Sequence, residues 1–296
     1  MNTRENNPSP SNPLGIDGIE FIEYATTEPL ALGSLLERMG FEQVGRHRSR
    51  EVVLYTQGGM NIIVNADPSS WTSFDHDVQS TRLSAIALRV RDANVAYKHV
   101  TDLGAWAIPT RAGAMELNIP GVHGSGDSII YFVDRYQDFS IYDVDFKPAS
   151  HERKKTTALA GLHFFGVVQA VRSDRTREWI DFYSQLMGFS VLPEGKFFGI
   201  LPKGTLLASP CRQFYIQLIE PPEGTEDMHW DEELIRLGFG APDVLAATAL
   251  LLQRGVVFVD RAPMQVSERG ALTQLYKGGV SFELVHSDMG PSKAHS

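Results

Sequence analysis

Asp92-Ala-Asn-Val-Ala-Tyr-Lys-His-Val-Thr-Asp-Leu-Gly104 and Asp243-Val-Leu-Ala-Ala-Thr-Ala-Leu-Leu-Leu-Gln-Arg-Gly255 have the same length and the same two end residues. Each predicts a helix, over 93–103 and 244–254, that stops at a glycine. The residue just past a helix C-terminus usually takes a left-handed conformation, which glycine adopts without steric cost. A strand-like apolar run precedes each helix: Leu83-Ser-Ala-Ile-Ala-Leu-Arg-Val and Leu234-Ile-Arg-Leu-Gly-Phe. Strands are predicted to follow, near 128–133 and 139–144 in one case, and near 272–276 and 280–285 in the other.

The same unit occurs twice more. One copy opens with Ile19-Glu-Phe-Ile-Glu-Tyr and runs through a helix over 30–39 to Gly40, then strands near 52–55 and 61–65. The other opens with Leu162-His-Phe-Phe-Gly-Val-Val, with a helix over 175–187 to Gly188 and strands near 197–200 and 214–219. Met39-Gly40-Phe41 and Met187-Gly188-Phe189 repeat the same register. Agreement across four units marks an internal repeat. One such unit cannot bury both faces of its short sheet, so the units are expected to join in pairs around a cleft, with helices outside. The fold class is therefore α+β, with two domains of paired βαβββ modules at 15–148 and 158–287. The polar, charged stretch 147–158 connects them, as a domain linker should. Residues 1–14, rich in Asn, Pro and Ser, read as a disordered leader, and 287–296 as a loose tail.

At 296 residues the chain can bury a sizeable core, and length alone suggests about two domains. A net charge of −9 argues against nucleic acid as a partner, since such proteins carry a basic patch. A single cysteine, Cys211, excludes an internal disulfide and fits a reducing cytoplasm. No apolar run approaches the ~20 residues of a membrane span. The composition leaves a small-molecule enzyme or binding protein, with association into a homo-oligomer left open.

Two ionisable residues stand inside apolar runs, where they need a partner. His163 lies in Leu162-His-Phe-Phe-Gly and Glu283 in Gly279-Val-Ser-Phe-Glu-Leu-Val. A metal is one possible partner; two histidines and a carboxylate form the facial site of non-heme Fe(II) oxygenases. A core hydrogen bond is the plainer reading of His163, and an ion pair that of Glu283.

Gly18-Ile-Glu-Phe-Ile-Glu-Tyr-Ala, Met39-Gly-Phe, His47-Arg-Ser, Val53-Leu-Tyr-Thr-Gln-Gly, Met115-Glu-Leu-Asn-Ile-Pro-Gly and Ser140-Ile-Tyr-Asp-Val-Asp-Phe together resemble the first domain of the 4-hydroxyphenylpyruvate dioxygenase family, within the vicinal oxygen chelate superfamily. The likeness covers about 15–147. The second domain matches in Trp179-Ile-Asp-Phe-Tyr and in strand contexts around His163 and Glu283. The resemblance implies a mononuclear Fe(II) enzyme that oxidises an aromatic 2-oxo acid with dioxygen. It implies His163 and Glu283 as metal ligands and Gln274 as a residue that lines the pocket and orients the substrate.

This chain departs from the family pattern at three places. Counting seven residues back from Asp243 puts Arg236 where the family has its second histidine, and a guanidinium cannot ligate a metal. The final strands follow a short insert, 261–271, with little chain beyond Glu283. Ile219 stands where the family carries an Asn. Two readings follow. In one, Fe(II) is held by His163, Glu283 and a third group, either His229 from the loop Asp227-Met-His-Trp-Asp or water. In the other, the metal is gone and Arg236 pairs with Glu283 in a cleft that binds a small anionic or aromatic ligand.

Overall fold

The computed structural model describes residues 9–68, 81–109, 117–136, 139–149, 156–194, 198–200, 204–221 and 231–288. The first half contains β1 (Ile19–Thr26), α1 (Pro29–Arg38), β2 (Glu42–His47), β3 (Val52–Gln57) and β4 (Met60–Asn65). It continues with β5 (Thr81–Arg89), α2 (Ala93–Asp102), β6 (Gly121–His123), β7 (Ile129–Val133), α3 (Ile141–Asp145) and β8 (Phe146–Pro148). The second half contains β9 (His163–Ala170), α4 (Thr176–Met187), β10 (Ser190–Val191), β11 (Thr205–Ala208) and β12 (Tyr215–Ile219). Then come β13 (Glu233–Ala241), α5 (Val244–Gln253), β14 (Gly270–Leu272) and β15 (Phe282–His286).

Two mixed sheets result, ordered β6-β7-β5-β1-β4-β3-β2-β8 and β10-β11-β12-β9-β13-β15-β14. In the middle of each, the opening strands of two units run antiparallel, β1 beside β5 and β9 beside β13. Each opening strand also pairs in parallel with the last main strand of its own unit: β4, β7, β12 and β15. This is the paired βαβββ arrangement. The glycines that close the four main helices, Gly40, Gly104, Gly188 and Gly255, all have positive φ, between 78° and 99°. The helices therefore stop where a side chain would be strained.

The strand predicted over 139–144 is instead the short helix α3. Ser140 and Asp143 form a reciprocal capping box, which favours a helical start over an extended one. The chain then becomes extended at β8, which adds to the far edge of the sheet beside β2. The strand predicted over 197–200 does not form at residues 198–200, and Phe197 lies outside the described residues. Residues 1–8 also lie outside them, but 9–14, read from composition as leader, lie on the protein. Leu14 is buried in the core, and the Asn12 side chain exchanges hydrogen bonds with the Ile16 backbone. None of the helices among the described residues is long and apolar enough to cross a membrane.

One apolar core spans both halves. Phe239 of β13 is fully buried, with ring centroids 5.9 Å from Phe41, 6.2 Å from Phe164 and 5.4 Å from Phe282. Phe41 follows α1, so this aromatic cluster joins the first unit to the last two. The C-terminal ends of α1 and α5 exchange cations over their last carbonyls: Arg254 donates to the carbonyls of Glu37 and Arg38, and Arg38 to that of Gly255. Positive charge suits the carbonyl end of a helix.

In the first sheet, the face opposite this core is itself filled. Phe21, Leu54, Ile63, Ala87, Tyr142 and Phe146 form a second apolar cluster there. The buried Glu20 is satisfied at that level by Arg89 and Asn61. The corresponding face of the second sheet holds different chemistry.

Candidate functional site

β13 is the axis of the candidate site. Its Gly238 lies opposite Gly166 of β9 on one side and Glu283 of β15 on the other. Side chains alternate along a strand, so Arg236, Gly238 and Gly240 share one face, while Leu237, Phe239 and Ala241 enter the core. Glu283 shares the face of Arg236, and the two meet: Arg236 Nη1 is 3.7 Å from Glu283 Oε2, with the side chains 16% and 5% exposed.

This pair is incompletely satisfied. Glu283 Oε1 and Arg236 Nε are buried with no hydrogen-bond partner among the described residues. The Ile200 backbone N–H faces the carboxylate without reaching hydrogen-bond geometry at Oε1. An orphaned buried polar atom typically costs about 1–3 kcal/mol. Burial pushes the Glu283 carboxyl up to about 7, against the opposing pull of Arg236 and the Ile200 N–H. Burial likewise draws the Arg236 guanidinium down, and Glu283 works against that shift.

The segment Phe198–Ile200 lies over the pair. A Cβ on Gly199 would stand 2.1 Å from Glu283 Oε1, and one on Gly270 would stand 2.8 Å from the Gly199 Cα. Only glycines allow this approach, and Gly199 also has a φ of +67°. Beside it, the Phe198 ring sits 4.9 Å from Phe165 and 4.8 Å from Tyr215, which are themselves 5.0 Å apart, centroid to centroid. Sequence reading missed this aromatic trio. Phe165 stood in view inside His163-Phe-Phe-Gly, but Phe198 has no local pattern that marks where it goes.

His163 is not brought to Glu283. It opens β9 opposite Gly240, two residues along β13 from Gly238. With two strand spacings across, that separates the His163 and Glu283 backbones by roughly 12 Å on standard sheet dimensions. The ring is also engaged. Nδ1 donates to the Gly161 carbonyl at 3.1 Å, so in the neutral ring Nε2 accepts from the Ser287 hydroxyl at 3.0 Å. Burial lowers the His163 pKa, which keeps the ring neutral. The space it fills exists because Gly240 has no side chain: a Cβ there would lie 2.2 Å from Nε2. Gly240→Ala is accordingly expected to evict the imidazole and cost about 1–3 kcal/mol for the unmade hydrogen bonds. Urea denaturation checks the cost, and the His163 ring proton shifts should move toward solvent values.

Gln274 is exposed, two residues past the end of β14, and its backbone N–H donates to Val257. His229 lies outside the described residues. The first-half counterpart of Glu283 is Tyr131, because β7 lies beside β5 as β15 lies beside β13. Among the described residues, no group of three or more His, Cys, Asp or Glu side chains comes together. The donor set at Glu283 is one carboxylate beside one cation, and it does not fit a divalent iron held by two histidines and a carboxylate. A separate cavity of about 250 Å³ lies in the first half, against Ala93, Leu117, Phe132, Arg135 and Ile141, far from this chemistry.

Comparison with known proteins bears on these residues. A family model described as "Hydroxyphenylpyruvate dioxygenase, HPPD, N-terminal" matches residues 11–147. The chain is 33% identical over 266 residues to "Hemolysin VllY" of Vibrio vulnificus, covering 84% of this chain and 73% of that protein. It is 30% identical over 266 residues to a 4-hydroxyphenylpyruvate dioxygenase of Pseudomonas aeruginosa, covering 84% and 72%. A solved fusion of a xylose isomerase-like TIM barrel with 4-hydroxyphenylpyruvate dioxygenase superposes at a TM-score of 0.74 and 24% identity, over 97% of this chain and 51% of that one. The structural match speaks for the fold alone.

Proposed function

Because this chain belongs to the 4-hydroxyphenylpyruvate dioxygenase family, we propose that its second sheet keeps that family's small-molecule cleft while the Arg236–Glu283 pair stands in place of a metal centre. The single observation that supports this reading is the 3.7 Å approach of the Arg236 guanidinium to the Glu283 carboxylate. A fixed cation at that distance repels a divalent ion and takes the carboxylate that would hold it. The cleft is then a binding site for a small aromatic ligand. Phe165 and Tyr215 present aromatic surface, and Arg236 and Glu283 present one donor and one acceptor with unused capacity.

A second reading has its own support. Glu283 is a buried carboxylate with a free oxygen, in a chain whose relatives include proteins named 4-hydroxyphenylpyruvate dioxygenase. In that reading Glu283, His163 and His229 hold Fe(II), Gln274 orients an aromatic 2-oxo acid, and dioxygen is the co-substrate. It requires His163 to leave Gly161 and Ser287, and Glu283 to leave Arg236.

Iron binding separates the two. The protein purified anaerobically, then titrated with Fe(II), is expected to bind no stoichiometric iron, and Glu283→Ala is expected to change nothing in the metal analysis. One equivalent of iron in the parent chain, lost in both Glu283→Ala and His163→Ala, overturns the metal-free reading.

A further inference from the structure

The segment Phe198–Ile200 does in this cleft what a ligand would do. Its aromatic ring packs against both Phe165 and Tyr215, within 5 Å of each, and these two also touch each other. Its next residue lies against the Glu283 carboxylate, and the N–H after that faces the same group. Yet the fit is imperfect at the polar end. The segment leaves one acceptor, Glu283 Oε1, and one donor, Arg236 Nε, buried and unpaired. A true wall of the cleft would be expected to satisfy those atoms, since buried polar groups are almost always paired.

We propose that Phe198–Ile200 is an internal competitor for the cleft. The molecule that displaces it is an aromatic ring carrying a planar group that both donates and accepts hydrogen bonds, of which a carboxamide is the simplest. The ring replaces Phe198 against Phe165 and Tyr215. The amide N–H donates to Glu283 Oε1, and the amide oxygen accepts from Arg236 Nε. Above about pH 7, where Glu283 is ionised, a carboxylate in the same place has no proton to give it and adds a second negative charge beside it. An amide is therefore preferred over the acid of the same shape. This inference rests on the reading of the cleft as a metal-free binding site.

Phenylacetamide and phenylacetate are the probes, with binding followed by calorimetry on the full chain at about pH 9, where Glu283 is ionised. A competitor that is removed no longer holds part of the population closed, so apparent affinity rises by the inverse of the open fraction. Phe198→Ala is expected to tighten phenylacetamide at least about tenfold on that argument. Gly199→Ala should act in the same direction, because its Cβ cannot coexist with Glu283 Oε1 in the closed arrangement. Circular dichroism of both variants verifies that they remain folded. Glu283→Gln is expected to abolish the preference for the amide over the acid.

Unchanged or weaker amide binding in both folded variants overturns the proposal and makes Phe198 a wall of the cleft. Equal affinity for amide and acid in the parent chain and in Phe198→Ala overturns the assignment of the ligand class. Stoichiometric iron in the parent chain defeats the metal-free reading itself, whatever the Phe198 variants do.

Discussion

At pH 9, Arg236→Ala is expected to be about 3 kcal/mol less stable than the parent chain, and at pH 6 the two should differ little. Glu283 is the reason. Its folded-state pKa is raised from 4.5 to about 7, so the folded chain holds a proton there that the unfolded chain has lost. A raised carboxyl pKa gives stability that is fully present below 4.5 and is lost as pH rises to about 7. Above that, Arg236 shields the ionised carboxylate and the loss stops.

Without the guanidinium, the folded pKa climbs further, and stability keeps falling by about 1.4 kcal/mol per pH unit. The two curves therefore separate only on the alkaline side. Urea denaturation at several pH values measures the separation. A loss that is the same at pH 6 and pH 9 would show that Arg236 acts through packing alone. The double change Arg236→Leu with Glu283→Leu removes both charges and should recover most of the stability, as paired apolar replacements of buried ion pairs often do.

Phe239→Ala is expected to cost about 3–5 kcal/mol, the range for a large aromatic removed from a well-packed core. The site cannot easily collapse. Phe239 is enclosed by Phe41 from the first half and by Phe164 and Phe282 from two strands of its own sheet. The location also decides how the chain unfolds. A cluster that includes both halves couples them, so the parent chain should unfold in one transition that fluorescence and circular dichroism report alike. Phe239→Ala should weaken that coupling and split the two probes. Coincident transitions in the variant, with a small loss, would mean that the arginine contacts between α1 and α5 carry the coupling instead.

Much of the architecture could be read from the chain because it repeats. Gly40, Gly104, Gly188 and Gly255 each end a helix at the same point of a unit, and backbone conformation at that point is set locally. The pairing of Arg236 with Glu283 was also legible, as one of two outcomes, because Asp243 fixes the register of β13. What failed was decided by features that apolar alternation does not carry, one of them local and the others distant in sequence. Ser140 and Asp143 turned a strand-like stretch into α3 through a reciprocal cap that apolar alternation does not reveal. The β-bulge between Gly238 and Phe239 resets the pairing of β13 with β9. It puts His163 opposite Gly240, and Gly166 opposite the residue that faces Glu283. No short-range pattern encodes that slip. The Phe198 stopper depends on where a loop folds back, which its own residues do not state.

The glycine of β9 at that level limits what a single substitution can build. Gly166 is the residue of β9 in line with Glu283, so it is the place from which a donor on that strand would face the carboxylate. A side chain there meets the Tyr215 carbonyl oxygen at 2.3 Å, which is backbone and cannot swing aside. Installing a histidine at Gly166 therefore demands that β9 and β12 part company first. No single substitution of β9 at this level therefore gives Glu283 a neighbouring donor: the strand that would carry it is pinned by the backbone beside it.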